Sequence, residues 1–159
     1  MDKFYIHFEG RITRGAKNGI SVPRNYNFWK PLLNYFLKKS NKFVLYCWDF
    51  ENNIFEDTKK FSNKSWDDGR MRFFEGNITK EFIDEIENNY LDEDKKVKWF
   101  FIRLKNGEDT VLCAEHYGSE FVTGWSNDYD ANFIKTLIGD DFTFHIINQA
   151  DYDYELVSP

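Results

Sequence analysis

Apolar and polar residues alternate at the start of the chain, and this alternation predicts a β-strand over residues 4–8. The next segment, residues 9–26, is polar and contains several glycines, which favours a long basic loop or an irregular hairpin. Apolar residues at helical spacing then predict a helix over residues 29–39, with Pro31 in its first turn, where proline is tolerated. The nearly continuous apolar run at residues 43–50 is typical of a strand that is buried on both faces.

The middle of the chain gives weaker signals. Residues 51–69 are polar and predict an irregular excursion that ends in a turn at Trp66–Gly69, followed by a short strand over residues 71–74. Thr79 is a good N-cap for a helix over about residues 80–90, which carries apolar residues on one side.

The pair Asn106-Gly107 is a strong hairpin signal between two apolar segments. It predicts strands over residues 97–104 and 110–117, and a further short strand is expected over residues 121–125.

The last third predicts a helix over residues 128–138 that stops at Gly139, and then a strand over residues 142–147. Residues 149–159 read as a polar, acidic C-terminal tail. The element order is β-α-β-β-α-β-β-α-β, which predicts a single α+β domain over residues 1–159. We expect a mainly antiparallel (mixed) sheet of about five to six strands, with about three helices largely on one face.

The composition fits a protein with a substantial core, since 42% of the 159 residues are hydrophobic and 19% are aromatic. The N-terminus lacks an export signal and no apolar run is long enough to span a membrane, so we expect a cytoplasmic protein without a membrane partner. Cys47 and Cys113 both lie in apolar runs, where small buried side chains are expected.

Charge is distributed very unevenly along the chain. Residues 107–159 contain eleven acidic residues and one basic residue, whereas residues 1–42 contain nine basic and two acidic residues. A segregated charge of this kind can create a surface field that selects partners. If the acidic third instead lies against the basic third, the field cancels within the molecule.

No motif for catalysis, nucleotide binding or structural zinc is present, so we predict no catalytic residue, no cofactor and no metal ion. Cys113 and His116 are three residues apart in a predicted strand and would point to opposite faces, which excludes a direct nucleophile–base pair. His7 and His145 could approach each other if the first and last strands are neighbours, with Glu115 or His116 nearby. Such a cluster could bind a metal or transfer protons, and a small hydrolase that uses these groups in a cleft is one alternative function. Three unrelated histidines on the polar face of the sheet are the simpler interpretation.

Two short segments of the acidic third interleave carboxylates with aromatic rings, a combination that suits binding to a basic protein. The predicted partner-binding residues are Trp125, Asp128, Tyr129, Asp130, Asp151, Tyr152, Asp153, Tyr154 and Glu155. The leading hypothesis is a small immunity-type inhibitor that neutralises a basic, nuclease-like toxin domain.

Other interpretations remain open for the same residues. Asp128 and Asp130 stand at a helix start, where acids are stabilising without any partner, and the tail could be a solvated terminus. A phage-type protein that mimics nucleic acid is another alternative. Direct binding of nucleic acid by the basic segment 11–42 is disfavoured by the isoelectric point near 5.1.

Overall fold

A computed structural model of the protein describes residues 3–148, which form ten strands, four α-helices and two short 3₁₀ helices. The strands are β1 (Phe4–Gly10), β2 (Thr13–Gly15), β3 (Ser21–Pro23), β4 (Lys42–Trp48), β5 (Lys64–Asp68), β6 (Met71–Asn77), β7 (Phe101–Asn106), β8 (Asp109–Glu115), β9 (Glu120–Thr123) and β10 (Phe142–Asn148). The α-helices are α1 (Trp29–Leu37), α2 (Asn52–Lys59), α3 (Lys80–Asn88) and α4 (Asp128–Ile138). The 3₁₀ helices are Lys17–Gly19 and Gly139–Asp141.

Eight of the strands form one sheet in the order β10-β1-β9-β8-β7-β4-β6-β5, and every pairing in it is antiparallel. Strands β2 and β3 form a separate two-stranded hairpin. The first and last strands of the chain are neighbours, with His7 opposite His145. Strands β10 and β5 are the edges of the sheet.

The α-helices pack on one face of the large sheet, which we call the inner face. Aromatic contacts join α1 to Phe121, α2 to Phe74 and α3 to Phe43, and these three sheet residues are all fully buried. The alternation in β1 that the sequence shows is kept, because Phe4, Ile6 and Phe8 are buried in this core. Hydrophobic burial between the sheet and the helices is therefore the main stabilising contribution to the fold.

The opposite, outer face carries no helix from residues 3–148. One row of side chains crosses it from edge to edge, because residues paired in an antiparallel sheet point to the same side. The row runs Trp66, Phe73, Tyr46, Phe101, Glu115, Glu120, Glu9 and Thr143. We call its first four members the aromatic row and the three glutamates the acidic row.

The aromatic row explains the apolar run at residues 43–50. Leu45 and Cys47 face the core, whereas Tyr46 lies on the outer face, only partly buried and stacked against Phe101 with ring centroids 4.6 Å apart. Phe73 contacts Tyr46 on its other side at 5.0 Å. The prediction of a strand buried on both faces is therefore wrong. The apolar residues on the outer face are only partly buried, by contacts with neighbouring side chains on the same face.

The predicted fold class is also wrong. The expected α+β domain had a mainly antiparallel (mixed) sheet of about five to six strands and three helices, whereas the described residues form an eight-stranded antiparallel sheet, a two-stranded sheet and four α-helices. The predicted order β-α-β-β-α-β-β-α-β consequently lacks several elements. Most of the missing ones lie in the two polar segments 9–26 and 51–69.

Physical reasons for these omissions are visible in the burial of the elements. All five residues of β5 are exposed, so this edge strand needs no alternation of apolar and polar residues. Helix α2 buries only Thr58 completely, which leaves little helical periodicity. The turn expected at Trp66–Gly69 falls instead after Asp68, where Gly69 has the positive φ angle that a tight turn requires.

Candidate functional site

Trp125 is held at one end of the outer face by the backbone around it. Phe4 and Ser126 exchange two backbone hydrogen bonds of 3.2 and 2.8 Å, which extend the contact between β1 and the segment after β9. The Trp125 ring stacks on Tyr5 with centroids 4.5 Å apart and remains 46% exposed. A rigid, partly exposed aromatic ring of this kind is typical of binding surfaces.

Gly124 allows the chain to reach this position. Its N–H donates to the carbonyl of Val111 at 2.9 Å, and a Cβ at Gly124 would lie only 1.8 Å from the carbonyl oxygen of Thr110. The close backbone approach therefore requires glycine.

Helix α4 starts immediately after this segment with a capping box. The Asn127 side chain accepts hydrogen bonds from the N–H groups of Tyr129 and Asp130, and the Asp130 carboxylate accepts one from the N–H of Asn127. Asp130 is buried and also binds the Lys39 ammonium and, at 2.7 Å, the Tyr35 hydroxyl. Its carboxylate is thus inside the fold, whereas Asp128 and Tyr129 point outward, with Tyr129 76% exposed.

Burial by itself raises the pKa of the Asp130 carboxyl, but the hydrogen bonds from Lys39, Tyr35 and the Asn127 backbone outweigh it and lower the pKa below the ordinary value.

Four of the predicted partner-binding residues are described, and because Asp130 is buried, the structure leaves Trp125, Asp128 and Tyr129 accessible. We call these three residues the Trp125 surface.

The other five predicted residues, Asp151, Tyr152, Asp153, Tyr154 and Glu155, lie outside the described residues, as does the predicted tail 149–159. The last described residue, Asn148, is paired with Phe4, and Phe4 is bridged to Ser126. The described chain thus ends at the same end of the sheet as the Trp125 surface.

Some of the segregated charge is offset inside the molecule. Arg24 binds Asp141 at 2.8 Å, Lys39 binds Asp130, and Lys42 lies 3.9 Å from Glu108. Each of these pairs joins the basic N-terminal segment to the acidic C-terminal third. Asp128 takes part in no ion pair among residues 3–148, so its charge stays available at the Trp125 surface.

A second group of polar residues lies on the outer face, around the acidic row. Glu120 Oε1 lies 2.8 Å from His7 Nε2, and Glu120 Oε2 lies 3.0 Å from His116 Nδ1. His145 stacks beside His7 with ring centroids 6.1 Å apart. Pairing of β1 with β10 therefore brings together the histidines whose proximity the sequence left open.

Two carboxylates of this group, those of Glu115 and Glu120, repel each other. Burial and then the charge of Glu120 raise the pKa of the Glu115 carboxyl above its ordinary value. His116 and Tyr117 both have positive φ angles, 52° and 57°, which is uncommon for residues other than glycine. This turn places the His116 ring against the carboxylate of Glu120.

A separate cleft of about 980 Å³ opens beside α2 and the segment 89–98. Trp48, Phe100 and Tyr117 supply aromatic surface, and the buried Lys96 and Lys98 are paired with acids. None of the three histidines lines this cleft. The histidine–carboxylate group is consequently a surface feature of the sheet, outside this cleft.

No helix within residues 3–148 combines the length and the apolar character that crossing a bilayer requires. Comparisons of the chain with protein-family models, with curated proteins and with solved structures give no match. We therefore infer the function from the two surface sites themselves.

Glu9 and Glu120 are the site residues that sequence reasoning missed. Glu9 has the same strand parity as Tyr5 and His7, so its face could have been predicted from the alternation in β1. The position of Glu120 beside Glu9 could not have been predicted, because it depends on the strand order β1-β9-β8, which local sequence patterns do not specify.

Proposed function

We propose that this protein is a small cytoplasmic inhibitor of the immunity type, which binds a basic, nuclease-like protein through the Trp125 surface and the acidic residues of the C-terminal tail. The observation that carries the proposal is the exposure of Trp125 and Tyr129 beside Asp128, at the end of the sheet where the described chain leads into Asp151, Asp153 and Glu155. Aromatic rings provide rigid contact area, and carboxylates speed the encounter with a basic partner.

Charge complementarity selects the class of partner. The protein has a net charge of −6, and several basic N-terminal side chains are already paired within the fold. A basic protein surface would gain from Asp128 and from the tail carboxylates, and a cationic side chain could pack on the Trp125 ring. Nucleic acid would be repelled by the same charges.

The nucleic-acid mimic is less well supported by the described residues. The acidic row contains three carboxylates on adjacent strands, at a spacing of about 4.8 Å between strands. Phosphates along an extended strand are separated by roughly 6–7 Å, and an effective mimic needs a longer array. We therefore retain the inhibitor as the proposed function.

A variant in which four carboxylates are replaced by neutral amides tests the proposal directly. It combines Asp128→Asn, Asp151→Asn, Asp153→Asn and Glu155→Gln, and the control removes the same number of charges from exposed sites elsewhere through Glu56→Gln, Asp67→Asn, Glu81→Gln and Glu93→Gln. Wild-type protein is first used to capture partners from the native host at low and at high salt. The captured protein is then purified, and its association rate with each variant is measured across ionic strengths.

We expect a basic protein whose capture is lost at high salt, and an association rate that falls at least tenfold in the site variant but by less than threefold in the control. Trp125→Ala and Tyr129→Ala should mainly speed dissociation. Recovery of nucleic acid instead of a basic protein, or equal association rates for the site variant and the control, would overturn the proposal.

A further inference from the structure

The acidic row is an unfavourable arrangement for a folded protein without a cation. Glu115, Glu120 and Glu9 stand directly opposite one another on β8, β9 and β1, and like charges opposite each other on neighbouring strands destabilise a sheet. Within residues 3–148, no lysine or arginine forms an ion pair with any of the three. Additional positive charge at the row would therefore be favourable.

Two imidazoles complete the group in a paired arrangement. The two oxygens of Glu120 face different histidines, His7 on one side and His116 on the other. The possible ligand atoms of His7, Glu9 and Glu120 all lie within 4.8 Å of one another, and so do those of Glu115, His116 and Glu120. Each set contains one imidazole nitrogen and two carboxylates, and Glu120 belongs to both sets.

This ligand chemistry selects the class of ion. Calcium and magnesium prefer oxygen ligands throughout, whereas mixed imidazole and carboxylate ligands suit zinc and similar divalent transition metals. Zinc binds imidazole nitrogen and carboxylate oxygen at about 2.0–2.2 Å, so small side-chain rotations would bring each set onto one ion. A carboxylate with one oxygen in each set can bridge two ions, as in sites where the metals are about 3.5–4 Å apart.

We propose that the outer face binds two divalent transition-metal ions, one held by His7, Glu9 and Glu120 and the other by Glu115, His116 and Glu120, with the Glu120 carboxylate as the bridge. The two ions would replace the repulsion within the acidic row by metal–carboxylate bonds. The site draws its ligands from β1, from β9 and from the end of β8 with the turn after it. The first set joins parts of the chain that are far apart, because His7 and Glu120 are 113 residues apart, whereas the second set lies within residues 115–120. The proposal does not depend on the partner-binding function.

His145 provides a matched control for the histidines. It lies on the same face, with its ring beside that of His7, but belongs to neither ligand set. Tag-free, full-length protein treated with a chelator is titrated with Zn²⁺ by calorimetry, and the bound ions are counted by elemental analysis after gel filtration. Co²⁺ is used in parallel, because its visible absorption reports nitrogen and oxygen ligation.

We expect two Zn²⁺ ions per wild-type chain and two for His145→Asn. His7→Asn and His116→Asn should each retain one ion, and Glu120→Gln should weaken binding of both at least tenfold. His116 is largely exposed in a turn, so His116→Asn should fold even if another variant does not, and circular dichroism checks the fold of each protein. The proposal fails if the wild-type chain binds no Zn²⁺, if it binds only one ion, or if His145→Asn loses as much binding as His7→Asn.

Discussion

Replacement of Asp130 tests whether this carboxylate supports the fold, because it joins the start of α4 to α1. Asp130→Ala removes the carboxylate that accepts the Asn127 N–H in the capping box, which costs about 1 kcal/mol for one hydrogen bond, and the hydrogen bonds from Lys39 and Tyr35 are lost as well. The Lys39 side chain is 43% exposed and can be hydrated again, so the second contribution is reduced to about 1–2 kcal/mol. We expect the free energy of unfolding to fall by about 2–3 kcal/mol in total.

The measurement is urea unfolding monitored by tryptophan fluorescence and circular dichroism. With a slope of about 2 kcal/mol/M, the midpoint should move to lower urea by about 1–1.5 M. Asp128→Ala is the matched control, because Asp128 is in the same helical turn but is exposed, and it should cost no more than about 0.5 kcal/mol. Equal midpoints for the two variants would refute the structural role of Asp130.

The pH dependence supplies an independent check with a defined sign. The pKa of Asp130 is lowered in the folded state, so its contribution to stability is complete above the unfolded-state pKa of about 3.9 and is lost as the pH falls through the folded-state pKa. Asp130→Asn should therefore differ most from wild type above about pH 4 and converge with it in stronger acid. A difference that grows as the pH falls would contradict this assignment.

Three further predictions concern the core and the backbone near the Trp125 surface. Gly124→Ala should cost more than about 2 kcal/mol or prevent folding, because its Cβ would collide with the Thr110 carbonyl, whereas Gly15→Ala has open space and should be nearly neutral in the same unfolding assay. Thr58→Val should cost about 1–3 kcal/mol, because the buried Trp99 indole N–H loses its acceptor at 2.9 Å, and Thr58→Ser should recover most of this stability. Burial raises the pKa of Cys47 to about 12, so iodoacetamide at pH 8 should label Cys47 only in denaturant, and rapid labelling of the native protein would show that the residue is not buried as described.

Sequence patterns predicted elements well where one segment contains its own start and stop signals. The helix expected over residues 128–138 coincides with α4, because Asn127 caps it and Gly139 ends it. The hairpin around Asn106-Gly107 is present, with Gly107 at a positive φ angle, but β7 begins at Phe101 and not at Val97. Val97 and Trp99 are buried without belonging to a strand, so their apolar character alone could not fix the strand boundary.

Local sequence patterns could not predict features that depend on strand order. Helix α2 and strand β5 are short and mostly polar, and β5 is specified mainly by its pairing with β6. The acidic row likewise exists only because β9 is inserted between β1 and β8. The set of His7, Glu9 and Glu120 on the outer face therefore follows from non-local pairing, whereas the Trp125 surface could be proposed from one short sequence segment, residues 125–130.

The uneven charge distribution acquires a more specific meaning from the pairing of β1 with β10 and β9. Part of it is neutralised by pairs such as Arg24–Asp141, and what remains in the described acidic third includes Asp128 and two members of the acidic row, Glu115 and Glu120. Tyr5, which stacks on Trp125, and Glu9 are four residues apart on the same face of β1, or about 13 Å at the usual rise of a strand. A protein partner of standard size would cover both regions, since it buries about 800 Å² on each side. Metal ions on the acidic row would then reduce the negative field that attracts a basic partner. The two proposed sites are therefore independent in their ligands but coupled through the negative field to which both contribute.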